Sequence, residues 1–439
     1  MTHVPMLRVH GRDPLFGSAA TPGDKSLSHR VLLLAAIADG DTLISGISGC
    51  GDVARTQTAL RRLGVTMKDT AEGLHVAGRG PRGLSGPPVA IDCGDSGTTM
   101  RLLAGLLSGV DRPFALFGSP GLRARPMRRV TEPLRAMGAD ISATDGHPPL
   151  VGHGGGLRGT SVTLRRASAQ AGSAVLLAAL CATGETRVAY PAAVRDHTER
   201  MLAEMDAPLR WSPRESLLHG PVMGLAPPGG GRYPVPGDPS SAAFLWTAAA
   251  LQPGGEVHTP GVCLNPGRDG LLEILRRMGA AVAVDDWRVV HGEPVADITV
   301  RAAPLAGVDV GGPLVPRTID ELPLVAVLGA VAHGRTVVRD AAELRLKESD
   351  RVAAIVDGLR RMGASIHARD DGFVVEGPTA LHGAALAGHG DHRIVMSLAV
   401  AATAASGESQ IEDGDRPADS FPGFVKTLRA LGADIREEG

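Results

Sequence analysis

The sequence predicts an α/β protein made of six copies of one unit, three in each of two halves. Three observations carry this. A helix-ending pattern recurs at Leu60-Arg-Arg-Leu-Gly64, Leu134-Arg-Ala-Met-Gly138, Leu275-Arg-Arg-Met-Gly279, Leu359-Arg-Arg-Met-Gly363 and Leu428-Arg-Ala-Leu-Gly432, with a weaker copy from Met201 to Ala207 that has Asp206 in place of Gly. Ahead of each ending, a polar Gly/Asp/Ser-rich turn runs into an apolar helix: Gly23 to Ala38, Gly94 to Leu107, Ser168 to Cys181, Gly237 to Leu251, Ile319 to Ala332 and Gly390 to Ala404. The richest Pro/Gly stretch, Ala226 to Gly237, falls between the third and fourth units and marks a crossing between halves.

Each element has its own reason. The recurrent ending is the last turn of an amphipathic helix, where basic residues complement the negative dipole end and Gly supplies the left-handed stop. Alternating apolar residues follow most endings, as in Ala280-Ala-Val-Ala-Val and Ala364-Ser-Ile-His-Ala, and read as strands. The first helix of each unit is apolar on nearly all sides and must be enclosed, whereas the one-faced second helix can lie at the surface. The unit repeats over roughly 70 residues, longer than common solenoid periods. Units packed in threes bring three helix N-termini together in each half, and two halves facing one another would form an anion-binding cleft. The expectation is an inside-out pair of α/β domains.

Composition narrows the class. At 439 residues the chain holds two or more full cores. A net charge of -2 offers no broad basic surface for nucleic acid. Apolar runs are too short to span a bilayer, and Met1 to Gly17 lacks a leader pattern, so a cytoplasmic protein is expected. Cys50, Cys93, Cys181 and Cys263 are scattered without a CxxC pair, which predicts reduced thiols. His389, Asp391 and His392 lack a further ligand pair, and no metal site is expected.

The stretch Pro22-Gly-Asp-Lys-Ser-Leu-Ser-His-Arg30 sets Lys25 and Arg30 at a helix N-terminus, with Asp24, Ser26 or Ser28 as cap. Asp24 between Gly23 and Lys25 excludes a Walker-type loop. Polar residues also collect at the other unit starts: Asp92 to Arg101 with Arg123 to Met127, Ser168 to Gln170 with Arg195 to Arg200, Gly237 to Ala242, Ile319 to Pro323 with Leu344 to Arg351, and Gly390 to Arg393. Taken together, from Pro22 to Phe424 in collinear order, this set resembles the 5-enolpyruvylshikimate-3-phosphate synthases within the enolpyruvyl transferases.

The resemblance implies two domains of three βαβαββ units each, an inside-out α/β barrel with residues 22–236 in one domain, residues 1–21 and 237–439 in the other, and the active site in the cleft between them. It implies transfer of the enolpyruvyl group of phosphoenolpyruvate to the 5-hydroxyl of shikimate 3-phosphate, with loss of phosphate, no cofactor and a monomeric enzyme. Matching positions for the cations that hold phosphoenolpyruvate are Lys25, Arg125, Arg351 and Arg393, and Gly97 lines that pocket. Ser26, Arg30, Ser168, Gln170 and Asp320 match acceptor positions, and Lys347 matches a position near both substrates. Glu348 and Asp320 occupy the positions of the acid and base, and either fits either role. Lys25 stands with them as a catalytic candidate. A related branch acting on a UDP-amino sugar carries a cysteine before the Arg-Pro pair; the loop Gly118 to Pro126 has none.

Four positions depart from the family pattern. Asp95 stands where Asn is usual, Gly172 where one bacterial branch has Lys, Val194 where a hydroxyl usually precedes Arg-Asp-His-Thr, and Asp419 where another branch has Lys. A like charge at about 4 Å from an anionic substrate is worth roughly 4 kcal/mol at an effective dielectric of about 20, so Asp95 matters most. These departures keep open a specialised paralogue that acts on a modified shikimate-type ring, or that eliminates phosphate or water without phosphoenolpyruvate.

Overall fold

The computed structural model describes residues 5–11 and 13–439. Residues 1–4 and 12, part of the segment read above for a leader and of the second expected domain, lie outside it. The chain divides into two compact units: Gly23–Pro236 with Val289–Glu293, and Met1–Pro22 with Gly237–Arg288 and Pro294–Gly439.

The Gly23–Pro236 unit holds three four-stranded sheets among its described residues. The middle one shows the plan. Strand Val89–Asp92 leads into a helix, Gly97–Gly109, and returns as Pro113–Phe117 parallel to the first strand. A parallel pair needs such a crossover. The amphipathic helix Arg128–Ala136 then precedes the hairpin Asp140–Thr144 and His147–His153, whose second strand pairs antiparallel with Pro113–Phe117. That is βαβαββ, and Ser161–Thr163 through Glu215–Gly220 repeats it. The first sheet differs in one strand: Asp41–Ser45 pairs in parallel with Arg232–Pro234, a segment from the far end of the unit.

Among its described residues the other unit also holds three four-stranded sheets. Asp309–Val310 through Gly372–Gly377 is continuous. The remaining two are completed by the N-terminal segment. Phe16–Ser18 pairs in parallel with Glu256–Cys263, and Met6–His10 lies antiparallel between Glu408–Glu412 and Asp434–Glu438. Among the described residues the sheets stay separate and open, and the apolar helices are the enclosed elements.

The six enclosed helices are α1 (Lys25–Ala36), α2 (Gly97–Gly109), α3 (Ala169–Ala179), α4 (Pro239–Ala250), α5 (Leu322–Val331) and α6 (His392–Thr403). In α4 every residue is buried, as expected for a helix apolar all round. α2 lies against α3 so closely that a Cβ on Gly105 would sit 2.1 Å from the Ala174 carbonyl oxygen. The left-handed stops are present: Gly64, Gly138, Gly279, Gly363 and Gly432 have φ from 89° to 106°, and Asp206 adopts the same region at 61°. Among the described residues no helix is long and apolar enough to cross a membrane.

Candidate active site

In the Gly23–Pro236 unit the polar cluster grows from the first turns of α1, α2 and α3. Asp24 caps α1, its carboxylate accepting from the Leu27 amide at 2.8 Å. This places Lys25 as the first helical residue, where its ammonium meets Asp52 at 2.5 Å. Arg30 lies one turn further in and is 4% exposed. Its guanidinium donates to Thr198 Oγ1 (2.8 Å), Ser173 Oγ (2.9 Å) and the Ser26 carbonyl (3.0 Å), all neutral acceptors. Burial lowers its pKa to about 10 despite the nearby Glu199 carboxylate. Its hydrogen bonds with described residues thus all go to neutral groups, and the nearby carboxylates offset its burial only in part.

α2 and α3 contribute a second group. Ser96 caps α2 and Ser168 caps α3, each accepting an amide of its own first turn. The bare Gly97 leaves room for two guanidinium groups: a Cβ there would lie 2.8 Å from Arg101 NH1 and 3.2 Å from Arg125 NH1. Arg101 donates to Gln170 Oε1 at 2.7 Å, and Gln170 donates to Thr98 Oγ1 at 2.9 Å. Lys25, Ser26, Arg30, Gly97, Arg125, Ser168 and Gln170 therefore all belong to this unit, at or beside the starts of its enclosed helices. Arg101, Thr198 and Ser173 join them without having been singled out. A charge inside the apolar run after Gly97 was the available signal for Arg101.

In the other unit the centre is Arg351, the first residue of the helix Arg351–Arg361 and 1% exposed. Its Nε donates to Asp391 Oδ2 at 2.8 Å, and its NH2 donates to Glu348 Oε2 at 2.6 Å. NH1 lies 3.5 Å from Asp320 Oδ1 and is the buried nitrogen left without a hydrogen bond. Burial opposes its charge, but Asp391, Glu348 and Asp320 outweigh that and raise its pKa. Burial likewise works against the Asp391 carboxylate, yet Arg351 holds it below the usual range. Asp391 also caps α6 through the Arg393 amide at 2.9 Å, so one carboxylate fixes both Arg351 and the helix carrying Arg393. Lys347 Nζ is 3.3 Å from Asp320 Oδ1, and Arg393 NH1 is 3.4 Å from the Asp320 carbonyl and 3.5 Å from Glu321. Asp320, Lys347, Glu348, Arg351 and Arg393 thus form one charged cluster. Asp391, which belongs to the polar run Gly390 to Arg393 noted in the sequence, was given no role there beyond a rejected metal candidate.

The structure gives two departures a physical setting. The Asp95 carboxylate accepts a hydrogen bond from Ser119 Oγ and is solvent-exposed, so screening reduces its repulsion of an anion. At Gly172 a Cβ would lie 2.1 Å from the Tyr190 hydroxyl, which fills the space a longer residue would need. Tyr190 and Ser216 both donate to Glu199 Oε1 at 2.9 Å. Nothing in the structure explains Val194. The cysteines carry no disulfide among the described residues, and burial pushes the Cys93 thiol up to about 12.

The sequence matches the family described as EPSP synthase (3-phosphoshikimate 1-carboxyvinyltransferase) over residues 9–428. The chain belongs to this family. A 3-phosphoshikimate 1-carboxyvinyltransferase of Anaeromyxobacter sp. (strain Fw109-5) is 50% identical over 430 residues, covering 97% of this chain and 98% of that protein. One from Acidithiobacillus ferrooxidans (strain ATCC 53993 / BNL-5-31) is 47% identical over 434 residues, covering 98% and 96%. The solved EPSP synthase of Acinetobacter baumannii superposes with a TM-score of 0.88 at 38% identity, covering 99% of this chain and all of that one.

Proposed function

We propose that this chain transfers the carboxyvinyl group of phosphoenolpyruvate to the 5-hydroxyl of shikimate 3-phosphate and releases inorganic phosphate. The observation that carries the reading is family membership along nearly the whole chain, joined to relatives of about half identity that all bear the name 3-phosphoshikimate 1-carboxyvinyltransferase. The same reading makes it a cytoplasmic monomer of the shikimate pathway leading to aromatic amino acids. It requires neither metal nor organic cofactor.

The chemistry assigns work to the residues. In the addition step the acceptor oxygen bonds to C2 of phosphoenolpyruvate while C3 gains a proton, and the acceptor hydroxyl loses one. In the elimination step the C2–O bond to phosphate breaks and the new methyl group returns a proton, restoring the double bond. One acid and one base therefore suffice, and they exchange roles between steps. Asp320 and Glu348 fill them. Lys25, Arg125, Arg351 through NH1, which faces Asp320 without a hydrogen bond, and Arg393 hold the phosphate and carboxylate of phosphoenolpyruvate, beside Gly97. Arg30, Ser26, Ser168, Gln170 and Lys347 hold the acceptor, whose anionic groups compensate the buried Arg30.

The test is to incubate purified protein with shikimate 3-phosphate, with and without phosphoenolpyruvate, and weigh the ring product. An enolpyruvyl ether appearing only with phosphoenolpyruvate is expected; a dehydrated or dephosphorylated ring in its absence would refute the reading. Asp320→Ala and Glu348→Gln should each lower kcat by roughly 10²–10⁴-fold with much smaller changes in substrate Kd. Equal losses in binding would show that these carboxylates only position the acceptor.

A further inference from the structure

A cavity of about 730 Å³ opens in the Gly23–Pro236 unit where α2 and α3 end. Its lining includes Arg82, Ser85, Asp111, Arg158, Cys181 and Thr183. Gly97 and Gln170 lie at the opposite ends of these helices; α2 alone spans about 18 Å at 1.5 Å per residue. The cavity is therefore separate from the cluster around Lys25 and Arg30.

Its charge is unbalanced. Neither Arg82 nor Arg158 has an ion pair or side-chain hydrogen bond with a described residue, and the Ser85 and Thr183 hydroxyls are likewise uncommitted. Asp111 is the one acid in the lining; its carboxylate is 85% exposed and lies 3.0 Å from His153. Immediately behind Ser85 sits Arg112, only 6% exposed. Its Nε has no hydrogen-bond partner, and its NH2 reaches the Ser85 carbonyl only at 3.4 Å. Burial, with Arg79 adding to it, lowers the Arg112 pKa, as expected for a cation lacking a counter-charge. The C-terminal dipoles of α2 and α3 offset part of this positive charge, about half a unit each, and leave the rest. The Cys181 thiol, held protonated by burial and directed at the Pro81 carbonyl, adds a neutral wall.

We propose that this cavity binds a compact small-molecule polyanion of the phosphate or polycarboxylate class, with Arg82 and Arg158 as its charged contacts and Ser85 and Thr183 as hydroxyl donors. Two guanidinium groups from separate segments match a ligand with at least two negative charges. The lining holds no aromatic side chain on which a base would stack, so a nucleotide is not the fit. The site is independent of the proposed reaction.

Pyrophosphate and citrate, titrated calorimetrically into the full-length protein at low salt, are the probes. Because the proposed active site also attracts anions, the comparison needs wild type, Arg82→Gln/Arg158→Gln and Lys25→Ala/Arg125→Ala, each confirmed folded by its melting temperature. Arg82 and Arg158 are both solvent-exposed, which weakens each contact, and losing both should still weaken binding at least about tenfold. Binding retained in the Lys25/Arg125 variant and weakened in the Arg82/Arg158 variant supports the site. If both probes fail to bind wild type, or if binding disappears with Lys25 and Arg125 and survives loss of Arg82 and Arg158, the proposal is overturned. A second readout is the amide resonances of Gly155 and Gly156, which also line the cavity and should shift on titration.

Discussion

His29, between Lys25 and Arg30, is fully buried in a helix whose start is crowded with cations. Its Nδ1 lies 2.7 Å from Thr56 Oγ1, which is 2.7 Å from Thr99 Oγ1, which in turn donates to Ser96 Oγ at 2.8 Å. This chain ties α1 to the cap that begins α2. Burial lowers the His29 pKa to about 3 from 6.5, with Lys25 and Arg30 adding to the effect and Asp52 opposing it. The unfolded chain therefore takes up a proton below about pH 6.5 that the folded chain refuses until about pH 3, so stability falls as pH drops through that window. Each pH unit removes about 1.4 kcal/mol at most, or roughly 3 kcal/mol from pH 6.5 to pH 4. Urea unfolding at several pH values should show a steeper acid slope for wild type than for His29→Gln, by about one proton. Identical slopes would place the acid sensitivity elsewhere. Motif and charge placed Lys25 and Arg30 at a helix start, and the resemblance pointed to Arg351 and Arg393, which the structure shows at or near helix starts. The partners His29–Thr56 and Gly172–Tyr190 were not, because residues distant in the chain become neighbours only once the helices pack.

At the scale of the element, capping residues were readable and their exact duties were not. Of Asp24, Ser26 and Ser28, it is Asp24 that caps α1, while the Ser28 hydroxyl accepts the Ser48 amide instead. Asp238 and Asp391 cap α4 and α6 in the same manner, whereas the residue before α5, Glu321, makes no cap bond and is engaged by Ser240 and Arg393. The weak sixth ending is the informative case. Asp206 holds φ 61° where the other five endings have Gly, and its side chain makes no hydrogen bond with a described residue. Asp tolerates the left-handed region better than most residues, but Gly does so without strain. Asp206→Gly should stabilise the unit by about 0.5–1 kcal/mol, partly offset by a looser unfolded chain. Calorimetry should then register a rise of about 1–4 °C in its melting temperature, with Asp206→Ala moving the other way. A fall for the Gly variant would mean that Asp206 contributes something its backbone conformation does not reveal.

For the whole molecule, six repeats were countable because helix endings and apolar runs are local signals. Which strand completes each sheet was not countable. Pairing between residues hundreds of positions apart leaves no periodic trace, and Arg232–Pro234, Phe16–Ser18 and Met6–His10 are too short to announce a partner. That arrangement has a consequence for the chain as it leaves the ribosome. The three sheets of the Gly23–Pro236 unit are complete in sequence once Pro234 has emerged, and only the tip Val289–Glu293 arrives later. Met6–His10 precedes by far both of its neighbours, Glu408–Glu412 and Asp434–Glu438. That strand therefore stays unpaired, as an exposed edge, until Glu408–Glu412 has been made, and keeps one edge open until Asp434–Glu438 follows. Nascent chains stalled at about residue 340 should resist mild proteolysis across Gly23–Pro236 and still be cut within Met6–His10. When synthesis resumes, that strand should become resistant only as Glu408–Glu412 and Asp434–Glu438 are made. A chaperone that shields it during this interval should raise the yield of folded protein more than one acting on any later segment.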